Sequence, residues 1–316
     1  MQQNQSQYKI HQQGSYSNGE INLRELFVSL WDGKWIIILF TAVFSIGSVI
    51  YAIKQPDIYK ADALLAPADS SGSGGLSKMA GQLGGLAALA GVNIGSSDIS
   101  QANLAAQVMK SRQFIENFIS EHELLVPIMA VNGWDLNHNE LIVNEEIYNE
   151  HTKEWLRNPK GLRGAKPSVQ EAYEVFKKDI LSVDQDKDSG LYNISVMYYS
   201  PYVSRQWVNW LVEDINRVMR DRTIAETTQN LSYLNAQLQK TSVTDMKSTF
   251  YTLIEEQTKS LMLAEVQDEF VFKVIDPAVL PEVKNKPKRA FICILGTLIG
   301  MMIGITVTFF KFTLRR

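Results

Sequence analysis

The sequence predicts an α/β (α+β) domain with long extended helices, anchored by two transmembrane helices. Three observations carry that prediction. Two uninterrupted uncharged runs, Trp35 to Ile53 and Ala290 to Phe310, lie near the two ends, and at about 1.5 Å per residue each spans the roughly 30 Å of a bilayer's hydrocarbon core. Between them the apolar pattern switches between a period of two and a period near 3.6, the marks of strand and helix. From Tyr202 to Ile275 neither proline nor glycine interrupts the chain, which leaves room for helices well beyond the usual ~11–12 residues.

Composition alone, 45% apolar and 21% charged over 316 residues, reads as globular. The two runs divide the chain into a tail (1–34), a first span (35–53), a middle domain (54–289), a second span (290–310) and a short tail (311–316). The middle segment, Lys54 to Arg289, holds 25 basic and 31 acidic residues for a net charge of −6, which excludes a strongly basic nucleic-acid binder. Two spans put both termini on one side. Basic residues flank both sides of both spans, so charge counting does not orient them. A long domain, however, translocates largely regardless of its charge, and the short tails are expected to be cytoplasmic. Mostly polar residues precede the first run and Lys54-Gln55-Pro56 follows it, a pattern that favours an uncleaved anchor over a signal peptide. Cys293 lies inside the second span, so the middle domain has no thiol to oxidise, which suits an oxidising compartment.

The elements follow in order. Met1 to Gly19 is rich in Gln, Asn, Ser and Gly and reads as disordered. Leu23, Leu26, Phe27 and Leu30 recur at helical spacing and predict a short amphipathic helix on the membrane surface, with Trp31 and Trp35 at the headgroups. Ile58 to Ala66 alternates Tyr59, Ala61, Ala63 and Leu65 against Lys60 and Asp62, as a half-buried strand does. Gly72 to Gly95 holds 8 of the 19 glycines and reads as a loop or loose helix that is easily disordered. Ser97 or Asp98 caps a helix expected from Ile99 to His122, and Glu140 to Leu156 is a second helix candidate.

Ser168-Val169-Gln170-Glu171 is a capping box that opens a helix to about Lys178. Ile180 to Asp184 and Leu191 to Tyr199, joined through Asp186 to Gly190, predict an antiparallel hairpin. At Ser200-Pro201 the period changes. Val203, Trp207, Trp210, Leu211, Ile215 and Val218 form the stripe of a long helix to about Lys240. Thr241 to Thr244 is its break, with Thr244 capping a second helix from Asp245 to about Asp268, and Phe270 to Ile275 is a closing strand. Pro277, Pro281 and Pro287 then favour a stiff, extended approach to the second span.

Residues able to carry chemistry are sparse. Gly161-Leu162-Arg163-Gly164-Ala165-Lys166 has the wrong spacing for a phosphate loop. His11, His122, His138 and His151 are scattered without metal-ligand spacing, and His138 and His151 read as solvated. The pairs Glu213 with Asp214 and Glu255 with Glu256 read as helix faces or partners for Arg217, Arg220 and Arg222 rather than as an acid and base. No cofactor is expected. The spans say more: Gly296, Gly300 and Gly304 make a flat stripe on the second, and Thr41, Ser45, Ser48 and Ala52 share a face of the first. Packing between the two spans and packing between chains are equally open at this level. Trp207, Trp210, Arg217 and Arg220 exceed what a small domain can bury and are candidate contacts between copies.

The lead-in from Ile21 to Trp35, the strand at Tyr59 to Leu65, and Asp276 to Gly304 with its prolines, basic cluster and glycine stripe resemble the polysaccharide co-polymerases. More narrowly, they resemble the Wzz-type chain-length determinants of O-antigen and related surface glycans. The resemblance covers both ends closely and the middle only in layout. It implies an inner-membrane protein whose periplasmic domain assembles into a homo-oligomeric ring among membrane lipids. It further implies a regulator that sets how many units an integral-membrane glycan polymerase adds to undecaprenyl-diphosphate-linked glycan, without making or breaking bonds. With only Lys311 to Arg316 after the second span, the kinase-bearing branch of the family is not expected. Enterobacterial common antigen or an exopolysaccharide is the alternative glycan. A two-span sensor would need a cytoplasmic output domain, and a periplasmic glycan-modifying enzyme would need a carboxylate cleft that the sequence does not reveal.

Overall fold

A computed structural model describes residues 31, 33–68 and 101–314 of the chain. The stretches Met1 to Gly19, Leu23 to Leu30, Gly72 to Gly95 and the helix start at Ser97 or Asp98 lie outside the described residues. The described residues fall into two compact units, those up to 55 with those from 288 onward, and those between 56 and 287. In the first, helix α1 (Lys34–Lys54) packs along helix α8 (Arg289–Leu314). Both are long and apolar enough to cross a membrane, with mean hydropathies of 2.5 and 2.4.

The second unit begins with β1 (Tyr59–Pro67), whose Ala61, Ala63 and Leu65 are buried, as their alternation predicts. Next come α2 (Gln101–Met109) and α3 (Arg112–Glu121). A single helix to His122 was expected. Ser111 instead adopts an extended backbone and accepts from Phe114 N at 3.3 Å, so the serine restarts the helix as an N-cap. The short α4 (Leu125–Ala130) is followed by β2 (Val131–Asp135), and the expected helix from Glu140 to Leu156 is replaced by the strands β3 (Glu140–Val143), β4 (Tyr148–Asn149) and β5 (Glu154–Trp155). The reason is strand pairing and burial. Asp135 and Asn139 build a turn that returns β3 along β2, and Leu141 and Val143 pack on the core at a period of two.

Helix α5 (Val169–Val175) carries the predicted capping box, with Glu171 N donating to Ser168 Oγ at 3.1 Å and Ser168 N to the Glu171 carboxylate at 3.2 Å. A π-helical turn (Phe176–Ile180) leads into β6 (Leu181–Gln185), and β7 (Tyr192–Tyr198) returns antiparallel to it. Gly190 closes their turn at φ +73°, a backbone that a side chain resists. Helix α6 (Pro201–Lys240) is capped by Ser200, as predicted. Helix α7 (Thr244–Val266) follows, preceded by Val243, and Thr244 makes no side-chain cap. The closing strand is β8 (Phe272–Asp276).

The main sheet has the order β6-β7-β1-β8. The first strand is therefore central, and its partner on one side is the last. One face of the sheet is covered by the first half of α6, where Trp207, Val208, Leu211 and Ile215 are buried against Tyr198, Phe176 and the strands. At about 1.5 Å per residue the 40 residues of α6 reach about 60 Å. Beyond Met219 only Thr227 is buried on it, and α7 buries only Ala264. The far half of α6 and α7 thus form a hairpin with little core.

One ion pair fastens the loop before α5. Arg157 donates two parallel hydrogen bonds of 2.8 Å to Glu171, while its Nε reaches the carbonyls of Gly164 and Ala165. That guanidinium, with help from the Ser168 amide and Arg163, holds the buried Glu171 carboxyl down to about 2. Because the folded value lies below the ordinary one near 4.5, the stabilisation is complete above about pH 4.5 and fades as pH falls towards 2. Glu171→Gln should lower stability at neutral pH by about 2 kcal/mol, or about 4–8 °C in Tm. The gap to the wild type should close on acidification, which melting curves across pH would check.

Candidate functional site

The stripe on α8 faces α1 of the same chain. A Cβ added at Gly300 would lie 2.7 Å from Phe44 Cβ and 3.0 Å from the Phe40 carbonyl oxygen, and one at Gly304 would lie 2.8 Å from Ile37 Cα. At Gly296 it would strike Ser48, with Ser48 Oγ 2.8 Å away. Thr41 lies opposite Gly300, with its hydroxyl turned back to the Ile37 carbonyl at 2.8 Å, and Ser48 bonds the Ser45 carbonyl at 2.8 Å. Ser45 itself is half-buried and is not among the nearest contacts of the three glycines. The seam runs one turn further than the glycine spacing indicates. Thr308 is buried against Gly33, where a Cβ would strike its side chain. A small residue at each of these levels lets the backbones approach where lipid offers no hydrophobic drive.

In the segment approaching α8, Pro277, Pro281 and Pro287 lie in irregular backbone, and the Lys286-Pro287 bond is cis. The second unit is closed here. Ile58 N donates to Lys286 O at 2.9 Å, Asn285 N to Ile58 O at 2.8 Å, and Lys284 pairs with Asp57 at 3.1 Å.

The aromatic and cationic residues of α6 sit differently from the expectation. Trp207, offered as a contact between copies, is only 2% exposed. It fills the core between Phe176 and Tyr198 and cannot reach a second chain. Trp210 is half-buried and stacks on His122 with ring centroids 4.1 Å apart. His122 Nε2 lies 2.9 Å from Asp214, and Arg217 binds both Asp214 at 2.6 Å and Glu121 at 2.7 Å. Arg220 reaches Asp268 at 3.5 Å. These groups therefore tie α3, α6 and the segment between α7 and the closing strand together within one chain. Nothing in the sequence placed His122 beside Asp214, which lies 92 positions away. His138 is exposed and paired with Asp135 at 2.6 Å, which raises its pKa above the ordinary histidine value. Among the described residues no three His, Cys, Asp or Glu side chains converge as metal ligands would.

The helix seam generates a direct test. In a chain carrying Cys293→Ser, a Gly33→Cys and Thr308→Cys pair should crosslink the two spans on mild oxidation. Adding Gly300→Leu should cut the yield several-fold by forcing the backbones apart. Adding Gly47→Leu should not, because a Cβ there meets nothing within 4 Å. Gel mobility after oxidation reads the difference.

Comparison with known proteins adds the following. Residues 19–122 match the Wzz family, described as "Chain length determinant protein". Residues 233–313 match the family described as "G-rich domain on putative tyrosine kinase". A search of curated proteins found no match. Among solved structures, a full-length bacterial polysaccharide co-polymerase is similar at 14% identity and a TM-score of 0.38, over 93% of this chain and 98% of that one. A fragment of WzzB, a polysaccharide co-polymerase from Salmonella Typhimurium, is similar at 12% identity and a TM-score of 0.28, over 72% of this chain and 99% of that one. At these values neither likeness bears on mechanism. The two family matches take in both membrane-length helices, the first strand, the last strand and α7, and by them the chain carries a Wzz chain length determinant domain followed by the G-rich domain of the second family.

Proposed function

We propose that the chain is a non-catalytic regulator of surface polysaccharide length, of the lipopolysaccharide O-antigen kind. It works in the inner membrane beside an integral-membrane glycan polymerase that extends undecaprenyl-diphosphate-linked glycan. The match of residues 19–122 to the chain length determinant family carries the reading. Cells lacking the gene should still make polymer but lose its preferred length, giving a broad, short-weighted ladder on a gel of surface glycan. Bond-making or bond-breaking by the purified protein on lipid-linked glycan, with no polymerase present, would overturn it.

The proposed topology has both tails cytoplasmic and residues 54–289 periplasmic, supported by the two membrane-length helices among the described residues. A phosphatase fused after Ser70 should be active and one fused after Lys311 silent. The reverse pattern would refute the arrangement.

The ring reading is supported by the α6–α7 hairpin, where Tyr251 is 60% and Met262 62% exposed, beside exposed Tyr233 and Met246. Apolar side chains of that size on a hairpin without a core are suited to burial against copies of the same hairpin. The proposed contacts between copies accordingly move from Trp207 and Trp210 to these four residues. Tyr251→Glu with Met262→Glu should lower the oligomer mass in mild detergent while leaving the melting of the core domain near that of the wild type. Unchanged oligomers would remove the hairpin from the interface.

A further inference from the structure

Between α3 and α6 lies a cleft of about 280 Å³ whose floor includes Phe114 and Met219. We infer that this cleft binds one neutral, hydroxyl-rich sugar ring of a glycan. The volume lies just below the roughly 300–1,000 Å³ of ligand pockets, room for a single ring rather than a stretch of polymer. The floor suits the C–H face of a pyranose, and the walls suit its hydroxyls. On α3, Gln113 and Asn117 stand one turn apart, both exposed, and neither side-chain amide has a hydrogen-bond partner among the described residues. Each offers donors and an acceptor at once, as a sugar hydroxyl requires. Also lining the cleft, Arg217 grips Glu121 and Asp214, and Asp214 is backed by His122 stacked on Trp210. The carboxylates are thereby held in place before anything binds.

Charge argues against an anion. The cleft carries Glu121 and Asp214 against Arg217 and Arg222, a balance of zero, and Arg222 is already paired with Glu226 at 3.0 Å. Phosphate would meet no uncommitted cation there, whereas a hydroxyl can share the existing groups without displacing them. The kind of glycan rests on the chain-length reading; the geometry of the cleft does not.

Saturation-transfer NMR on the full chain in detergent micelles tests the assignment. The probe is the oligosaccharide that mild acid releases from the source cells' own surface glycan, with inorganic phosphate as competitor. Transfer to ring C–H protons is expected in the wild type. Asn117→Phe, which fills the cleft, and Gln113→Leu should each reduce it about fivefold or more, the effect of losing one or two hydrogen bonds. Both substitutions are at exposed positions, so the far-UV circular dichroism should stay that of the wild type. Absence of transfer in the wild type, transfer in both variants undiminished from the wild type, or competition by phosphate would overturn the sugar site. If Asn117→Phe changes glycan length in cells while transfer is undiminished, the regulator reading stands and the cleft fails. If deleting the gene leaves glycan length unchanged while transfer responds to both variants, the cleft stands and the regulator reading fails.

Discussion

The pairing of β1 with β8 is the constraint on which the second unit depends. A domain inserted between two membrane-length helices that pack along each other must bring its first and last residues together. The chain does so by placing its first strand at the centre of the sheet and laying its last strand antiparallel beside it, from Leu64 opposite Asp276 to Pro67 opposite Phe272. The Ile58–Lys286 bridge continues the closure to the ends of the unit. What fixes β8 is one buried side chain on α6. Asn216 accepts from Val271 N at 2.8 Å and Phe272 N at 2.9 Å and donates to Phe272 O at 3.1 Å. Three backbone groups are satisfied that would each cost about 1–3 kcal/mol if buried unpaired. The ion pair of Lys284 with Asp57 at the same end is about one third exposed on each side and adds little by comparison.

Helix α6 serves two purposes along its length. Its first five turns behave as a core helix, with Leu211 and Ile215 fully enclosed and charged residues only at the edges, where Asp214 is neutralised by Arg217 and bonded to His122. Its remaining turns have no sheet to lie on. Packing against α7 gives them some support, through contacts such as Asn230 to Gln257 at 3.5 Å, yet large apolar side chains still face outward. An isolated helix pair of that composition is weakly stabilised, since helix stability in proteins comes mostly from a buried face. Association with further copies would supply that face.

Within the membrane pair the balance of forces is different. Lipid is as apolar as the side chains, so burial gives no drive, and contact must come from close packing. The α1–α8 seam meets this with glycine or a hydroxyl residue at successive turns, the hydroxyls of Thr41, Ser48 and Thr308 each returned to a carbonyl of their own helix. The hydrogen bond from Arg289 Nε to Ala52 O at 3.3 Å satisfies a carbonyl at the last turn of α1.

By itself the sequence determined those features whose cause is local. Length and apolarity set the two spans, serine followed by proline set the start of α6, Ser168 and Glu171 set the capping box, and the alternation around Ala63 and Ile194 set the strands. The order of the strands in the sheet, the partner of Glu171 and the enclosure of Trp207 belong to the tertiary structure. They depend on residues tens to hundreds of positions apart, whose meeting no periodicity records. The misread stretch from Glu140 to Leu156 shows the boundary between the two. Its short apolar runs fit a helix or a strand alike, and only the neighbouring β2 and the core beneath Leu141 and Val143 select the strand. The cleft between α3 and α6 is of the same kind: Gln113 and Asn117 look like an ordinary solvated helix face until Arg217, Asp214 and Met219 are brought opposite them.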